Sequence, residues 1–277
     1  MVFFNRNSEN LLTILATDVI IYKSLSWRIT KMKITFLGTA HGVPLEDRFC
    51  SCTMIESGNS IYFIDAGAPV IDLMLRYKKD VNDLRAVFTT HSHGDHTAGL
   101  LHLIDLISWY YKESSADIYL SNSAQLPAYT ALLKAQNGEL FEFPDRLRFH
   151  LTDPSTPYED ENISLEYFRN CHMPNSYSIL VTEKSSGKTA LFSGDMSIKL
   201  AKGDFPSLLS EKEVDMFVCE MAHFGIHELS PYLETCKAKA VYFNHVFPLS
   251  KYDDIESLKG KYPFSVHTPS DGDAIEL

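Results

Sequence analysis

Thr90-His91-Ser92-His93-Gly94-Asp95-His96-Thr97 places three imidazoles and a carboxylate within six consecutive positions. Neutral imidazole and carboxylate are the nitrogen and oxygen donors that zinc and related divalent ions take. Crowding them on one short stretch suits a metal site and would serve a hydrophobic core badly. Three further donors stand where apolar stretches end. His172 follows Leu165–Arg169, Asp195 follows Thr189–Phe192 within Phe192-Ser193-Gly194-Asp195-Met196, and His245 follows Val241-Tyr242-Phe243-Asn244. One histidine at a strand end is ordinary, whereas three such donors plus the clustered stretch make a much rarer combination.

The elements that must position these residues are strands that stop just before them. Arg85-Ala86-Val87-Phe88-Thr89-Thr90 reads as a strand, and Leu100, Leu103, Ile104 and Ile107 fall at helical spacing, so the cluster is a strand-to-helix loop. Upstream, Lys33–Leu37 is a strand, and Cys52–Glu56 and Ser60–Ile64 flank a hairpin turn at Ser57-Gly58-Asn59. Val70–Lys79, Thr97–Lys112 and Ala124–Ala135 read as helices, with a strand at Asp117–Leu120. In the second half, Leu147–Leu151, Ile163–Arg169, Tyr177–Glu183, Lys188–Phe192, Val214–Cys219 and Ala240–Phe243 read as strands. Helices are expected near Ser230–Lys237 and Ser250–Lys259, with a short terminal strand pair after them. Strands with helices inserted in both halves predict an α/β fold, an αββα sandwich of two mixed sheets face to face with helices outside. One domain over 32–277 is expected. Residues 1–31 differ in character, because Met32-Lys33-Ile34-Thr35-Phe36-Leu37-Gly38 reads as a start running into the first strand. They are expected to be an appendage, with an amphipathic helix docked on the domain as the rival reading.

Composition narrows the function. The 277 residues are 45% hydrophobic with a net charge of −11, which counts against a surface built for nonspecific nucleic-acid binding. Five cysteines, an odd number with no Cys-x-x-Cys pair, point to reduced thiols in a cytoplasmic protein. Cys50 and Cys52 are too few to complete a tetrahedral metal site and are expected to be buried or half-buried thiols. Leu11–Tyr22 is interrupted by Asp18, and no apolar run reaches the ~18 residues of a membrane span.

His91-x-His93-x-Asp95-His96, followed by His172, Asp195 and His245, resembles the metallo-β-lactamase-fold hydrolases in order and spacing. Asp65 in Phe63-Ile64-Asp65-Ala66-Gly67 matches that superfamily's first motif. The resemblance implies that His91, His93 and His172 hold one metal ion and that Asp95, His96 and His245 hold another, with Asp195 bridging. Zinc is the expected metal, and manganese takes the same donors. Two ions ~3.5–4 Å apart share a water, hold it as hydroxide near neutral pH and polarise the electrophile's oxygen. Asp95 would also orient that hydroxide. Asp65 would align a histidine ring, or else cap the turn before Gly67.

Phe36-Leu37-Gly38-Thr39-Ala40-His41-Gly42-Val43-Pro44 and Ser193-Gly194-Asp195 resemble the phosphodiesterase branch, which includes ribonuclease Z. Two features depart from ribonuclease Z. Asp195 lies only 23 residues after His172, leaving no room for the family's transfer-RNA arm. Cys219, in Cys219-Glu220-Met221-Ala222-His223, stands where the endonucleases place a catalytic histidine. His223 is similar in position to a histidine of the carbon–phosphorus lyase-associated cyclic phosphodiesterases. It would protonate a leaving oxygen, against the rival of a hydrogen-bonded loop residue. His41 is expected to be a turn histidine, with a substrate-facing role as the rival, His227 and Glu228 to cap a helix or stand solvated, and His102 and Asp105 to form a polar helix face. Trp109, Tyr110 and Tyr111 pack in the core or else stack on a base. The expected function is therefore a dinuclear metal-dependent phosphodiesterase on a small or cyclic phosphodiester. Alternatives are transfer-RNA 3′ processing, hydrolysis of a carbon-centred ester, thioester or lactam, and a binding protein without turnover. A homodimer is left open.

Overall fold

The structure, a computed structural model, describes residues 31–201 and 203–277. The expectation for the N-terminal stretch 1–31 falls, Lys31 apart, outside the described residues. Lys31–Leu277 forms one compact unit. Its first sheet contains β1 (Lys33–Gly38), β2 (Cys52–Ser57), β3 (Ser60–Ile64), β4 (Leu84–Phe88), β5 (Ala116–Leu120) and β6 (Leu147–Leu151) in sequential order. Its second contains β7 (Tyr158–Glu159), β8 (Ile163–Arg169), β9 (Tyr177–Glu183), β10 (Thr189–Phe192), β11 (Val214–Met221) and β12 (Ala238–Val246), also in sequential order. Each sheet passes from antiparallel to parallel pairing, at β3–β4 in the first and at β10–β11 in the second.

The inner strands are buried on both faces because each sheet is covered twice, while outer strands such as β6 and β8 alternate buried and exposed residues. Neighbouring residues alternate between layers, as the strand's period of two requires. Phe36, Tyr62 and Phe88 face Ile163, Ile179, Phe192 and Val218 in a core between the sheets. Leu37, Phe63 and Val87 point the other way, against Leu73, Leu103 and Ile104 of helices Val70–Arg76 and Leu100–Trp109. Phe217 and Phe243 likewise meet Leu229 and Ile255 of helices Ile226–Leu233 and Lys251–Glu256. The result is the αββα sandwich. Among the described residues, no helix is long and apolar enough to cross a membrane.

Four expectations are corrected. The terminal strands do not pair with each other: β13 (Ser265–His267) extends the second sheet beside β12, and β14 (Ala274–Glu276) extends the first beside β1. Asp271 draws the chain across, its carboxylate accepting the Thr39 N–H at 2.8 Å and the Phe49 N–H at 2.7 Å. The single helix expected over Thr97–Lys112 is a short turn, Gly94–Thr97, followed by Leu100–Trp109. Between them the Gly99 N–H donates to Ala66 O at 2.7 Å, pinning the junction to the end of β3. The helix expected from Ser230 begins at Ile226, because the Glu228 carboxylate accepts the Gly225 N–H at 2.6 Å and caps an earlier turn. Finally, β11 and β12 run on to Met221 and Val246, because apolar burial resumes past the polar Glu220, Asn244 and His245: Met221 and Val246 pair with each other and both are buried.

Phe88 is fully buried between the sheets, whereas Leu140 is 95% exposed. Phe88→Ala should therefore lower the unfolding free energy by about 3–5 kcal/mol. Leu140→Ala should change it by less than about 0.5 kcal/mol. Urea denaturation of both variants checks this, and equal effects would mean the inter-sheet layer is misassigned.

Candidate metal centre

Six donors lie on loops that leave the C-terminal ends of β4, β8 and β10, the seventh, His245, stands near the end of β12 itself, and Asp65 and His223 follow β3 and β11. Local backbone conformation aims several of them. Asp65 ends β3 in the left-handed region (φ 61°), where an aspartate is tolerated. Its carboxylate accepts the Thr90 N–H at 2.7 Å and lies 2.7 Å from His96 Nδ1. It thus aligns the histidine ring, and the turn-cap reading falls. Gly67 permits the approach of this loop: a Cβ there would lie 1.8 Å from Asp95 O. His245 is the extra residue of a β-bulge, since Glu220 pairs with Asn244 and Met221 with Val246. Its φ of 54° turns the side chain off the pleat and into the site.

All seven predicted donors come together, in two groups. His91, His93, His172 and Asp195 form one, and Asp95, His96, Asp195 and His245 the other, with donor atoms in each group within 4.8 Å of one another. In the first, His93 Nδ1 lies 3.0 Å from His91 Nε2 and 3.2 Å from His172 Nε2. In the second, His96 Nε2 lies 3.4 Å from both Asp95 Oδ2 and Asp195 Oδ1, and His245 Nε2 lies 3.4 Å from Asp195 Oδ2. Thr90 Oγ1 sits 3.1 Å from His91 Nδ1, and Ser51 Oγ sits 3.0 Å from His245 Nδ1. With Asp65 on His96, each of these rings is engaged at Nδ1 and offers Nε2 to the centre.

The electrostatics suit cations. Burial foremost, with His96 next, pushes the His91 imidazole down to about 2. Burial also lowers His172. Burial would raise Asp95, but the neighbouring His96 and His245 hold it well below the carboxylate range. Asp195 is held down in the same way, by His245 and His96 against its burial. His96 goes up despite burial, because the Asp195 and Asp65 carboxylates hold a proton on it. Yet His96 Nε2 and Asp195 Oδ1 are buried without a hydrogen-bond partner among the described residues. A divalent ion in place of that proton would satisfy both atoms. Ionised carboxylates beside His91 and His172 held toward their neutral forms match the donor state that metal binding requires, and His96 would give up its proton to the ion.

Two carboxylates unmarked by the sequence reading complete the scaffold. Glu220 accepts the Met196 N–H at 2.9 Å, the Ala222 N–H at 2.6 Å and His223 Nδ1–H at 2.9 Å. It turns His223 Nε2 toward Asp195 Oδ2, 3.8 Å away, and the hydrogen bond raises His223 against the lowering effect of burial. Asp204, only 2% exposed, accepts the N–H groups of Cys171 and Ser197, tying the loop of His172 to the loop of Asp195. The one available signal for Glu220 was an acidic residue inside an apolar strand; Asp204 gave none. A cavity of about 250 Å³ opens between His41, His93, Asp95, His223, His245 and Phe247. His41 accepts the Val43 N–H at 3.4 Å, as a turn histidine does, but its ring also lies against Phe247, with centroids 4.2 Å apart. Trp109 and Tyr110 lie on the surface (55% and 62% exposed), neither in the core nor among the cavity-lining residues. Cys219 is buried and Cys52 too, and all five cysteines are unpaired thiols.

Asp204→Ala should loosen the His172 loop and weaken zinc binding by the His91–His93–His172 group about 10- to 100-fold. Titration against a chromophoric chelator checks this, and unchanged affinity would show that the two loops hold each other without Asp204.

Comparison with known proteins agrees with this geometry. YhfI of Bacillus subtilis, a metallo-β-lactamase fold protein, superposes with a TM-score of 0.70 at 18% identity, covering 89% of this chain and 100% of that one. A diphosphatase of the PhnP family superposes at 0.67 with 14% identity, covering 90% and 98%. These likenesses establish the fold. In sequence, a ribonuclease Z of Cyanothece sp. is 30% identical over 155 residues, which is 55% of this chain and 47% of the relative. The chain thus spans about half the length of the curated relatives it matches. The family described as Anti-Pycsar protein Apyc1 matches over residues 32–256, a span that holds all seven donors, Glu220 and His223, and the chain belongs to that family.

Proposed function

We propose that this protein is a hydrolase that uses two divalent metal ions to cleave a small or cyclic phosphodiester. The observation that carries the reading is the buried Asp195 carboxylate shared by two donor groups, with His223 facing the same carboxylate across the cavity. His91, His93 and His172 would hold one ion, Asp95, His96 and His245 the other, and Asp195 both. When bound, the pair would lower the pKa of water and neutralise charge on a phosphoryl oxygen. The donors suit zinc and take manganese as well.

The chain's own groups do the rest. Asp95 borders the cavity and can orient an attacking water. His223, with Nδ1–H committed to Glu220, presents Nε2 to the cavity. As the phosphorus–oxygen bond to the leaving group breaks, protonated Nε2 gives that oxygen its proton. Glu220 stabilises the imidazolium form that this needs. A cavity of about 250 Å³ suits a phosphoryl group and its immediate substituents. Five unpaired thiols fit work in a reducing compartment.

Transfer-RNA processing is the second reading, favoured by the sequence similarity to ribonuclease Z. The net charge of −11 is no ground for setting nucleic acid aside. What weighs toward the smaller substrate is local. The β9–β10 hairpin fills the interval between His172 and Asp195, and Cys219 is buried away from the cavity.

Metal-loaded protein should hydrolyse bis(p-nitrophenyl) phosphate or a cyclic nucleotide, and should leave precursor transfer RNA uncut. No turnover of any phosphodiester would remove the reading, and a defined transfer-RNA 3′ product would replace it with the second. His93→Ala and Asp195→Ala should each lower bound metal in elemental analysis. His223→Ala should keep the metal and lower kcat by roughly 10²–10⁴-fold. Metal loss in that variant would mean its role is misassigned.

A further inference from the structure

Lys251 opens the helix Lys251–Glu256 and is not one of the seven metal donors. Its ammonium donates to Met221 O at 3.0 Å, Ala222 O at 2.8 Å and Phe224 O at 2.7 Å. An ammonium has three N–H donors, and here all three serve one turn, the turn that carries His223. Among the described residues the Nζ hydrogen bonds all go to backbone carbonyls, while the carboxylates of Glu220, Glu228 and Asp254 act on the charge from farther away. The remaining carbonyl, that of His223, accepts from the Lys199 N–H at 3.2 Å. From the opposite side, Glu220 takes the N–H groups of Ala222 and His223. The turn is therefore held between a cation on its carbonyls and an anion on its amides, with every carbonyl from Met221 to Phe224 satisfied.

We propose that Lys251 is a positioning residue for His223, fixing the turn so that Nε2 meets the leaving oxygen. This rests on the reading of His223 as proton donor. A side chain that merely stabilised the fold would affect every substrate alike. One that aims a proton donor matters most when the leaving group is basic and needs the proton. Diphenyl phosphate and bis(p-nitrophenyl) phosphate have similar shapes, but phenolate is the more basic leaving group.

The test is the ratio of kcat on diphenyl phosphate to kcat on bis(p-nitrophenyl) phosphate, measured on metal-loaded full-length protein for His223→Ala, Lys251→Met and the double variant. Metal content and thermal melting are followed in parallel. Misplacing a catalytic group by about an ångström costs on the order of a hundredfold. Lys251→Met should therefore lower the ratio by roughly tenfold to a hundredfold with metal retained. The double variant should lower it no further than His223→Ala alone, because the two residues act through one proton transfer. A ratio lowered by His223→Ala but not by Lys251→Met, or losses that multiply in the double variant, would overturn the Lys251 assignment and leave the proposed function standing. A ratio unmoved by His223→Ala would remove the proton-donor reading and the Lys251 assignment with it. If Lys251→Met does not fold, Lys251→Gln, which keeps two N–H donors, carries the same comparison.

Discussion

The buried Asp195 carboxylate is the constraint on which this structure turns. It is 2% exposed and lies within 3.8 Å of nitrogens from His91, His96, His172, His223 and His245. An isolated carboxylate at that depth would cost several kcal/mol or would take up a proton. Here it stays ionised because positive character surrounds it. The same crowding is unfavourable for the imidazoles, of which His91 is driven far toward its neutral form. Burial and mutual repulsion of the imidazoles thus work against their attraction to the carboxylates, a conflict that bound divalent cations would relieve.

Everything around the centre prevents its escape from that conflict. Asp65 and His245 sit in left-handed backbone conformations that cost energy and that the two sheets enforce. Asp65, Thr90 and Ser51 engage one nitrogen of their histidines so that the other faces inward. Asp204 and Glu220 fasten loops from different strands of the second sheet. Two sheets that each turn parallel at mid-width deliver the loops to one edge, which is where parallel strands place their ligand sites. Fold and chemistry are thus linked through strand ends: the inter-sheet core sets where β4, β8 and β10 stop and the donor loops begin, and the bulge near the end of β12 sets where His245 stands.

Four donors were legible in the sequence because each stands just past the apolar part of a strand, so local pattern marks His91, His172, Asp195 and His245. The sandwich was legible for the same reason, since strand identity depends on neighbours in the chain. What escaped depends on partners far away in sequence. Asp204 acts on Cys171, and Lys251 on Met221 and Phe224, contacts that no spacing rule anticipates. The destinations of β13 and β14 were hidden because Asp271 binds Thr39 and Phe49, more than 200 positions away. For His41 the sequence offered both a turn and a substrate-facing place; the turn is local, while the contact with Phe247 that sets its place at the cavity is not.

Elemental analysis of the purified, unaltered chain after exposure to zinc or manganese and removal of free metal addresses the central claim most directly. Two donor groups sharing Asp195 predict two divalent ions per chain. One ion or none, with the protein folded, would contradict the two-metal account.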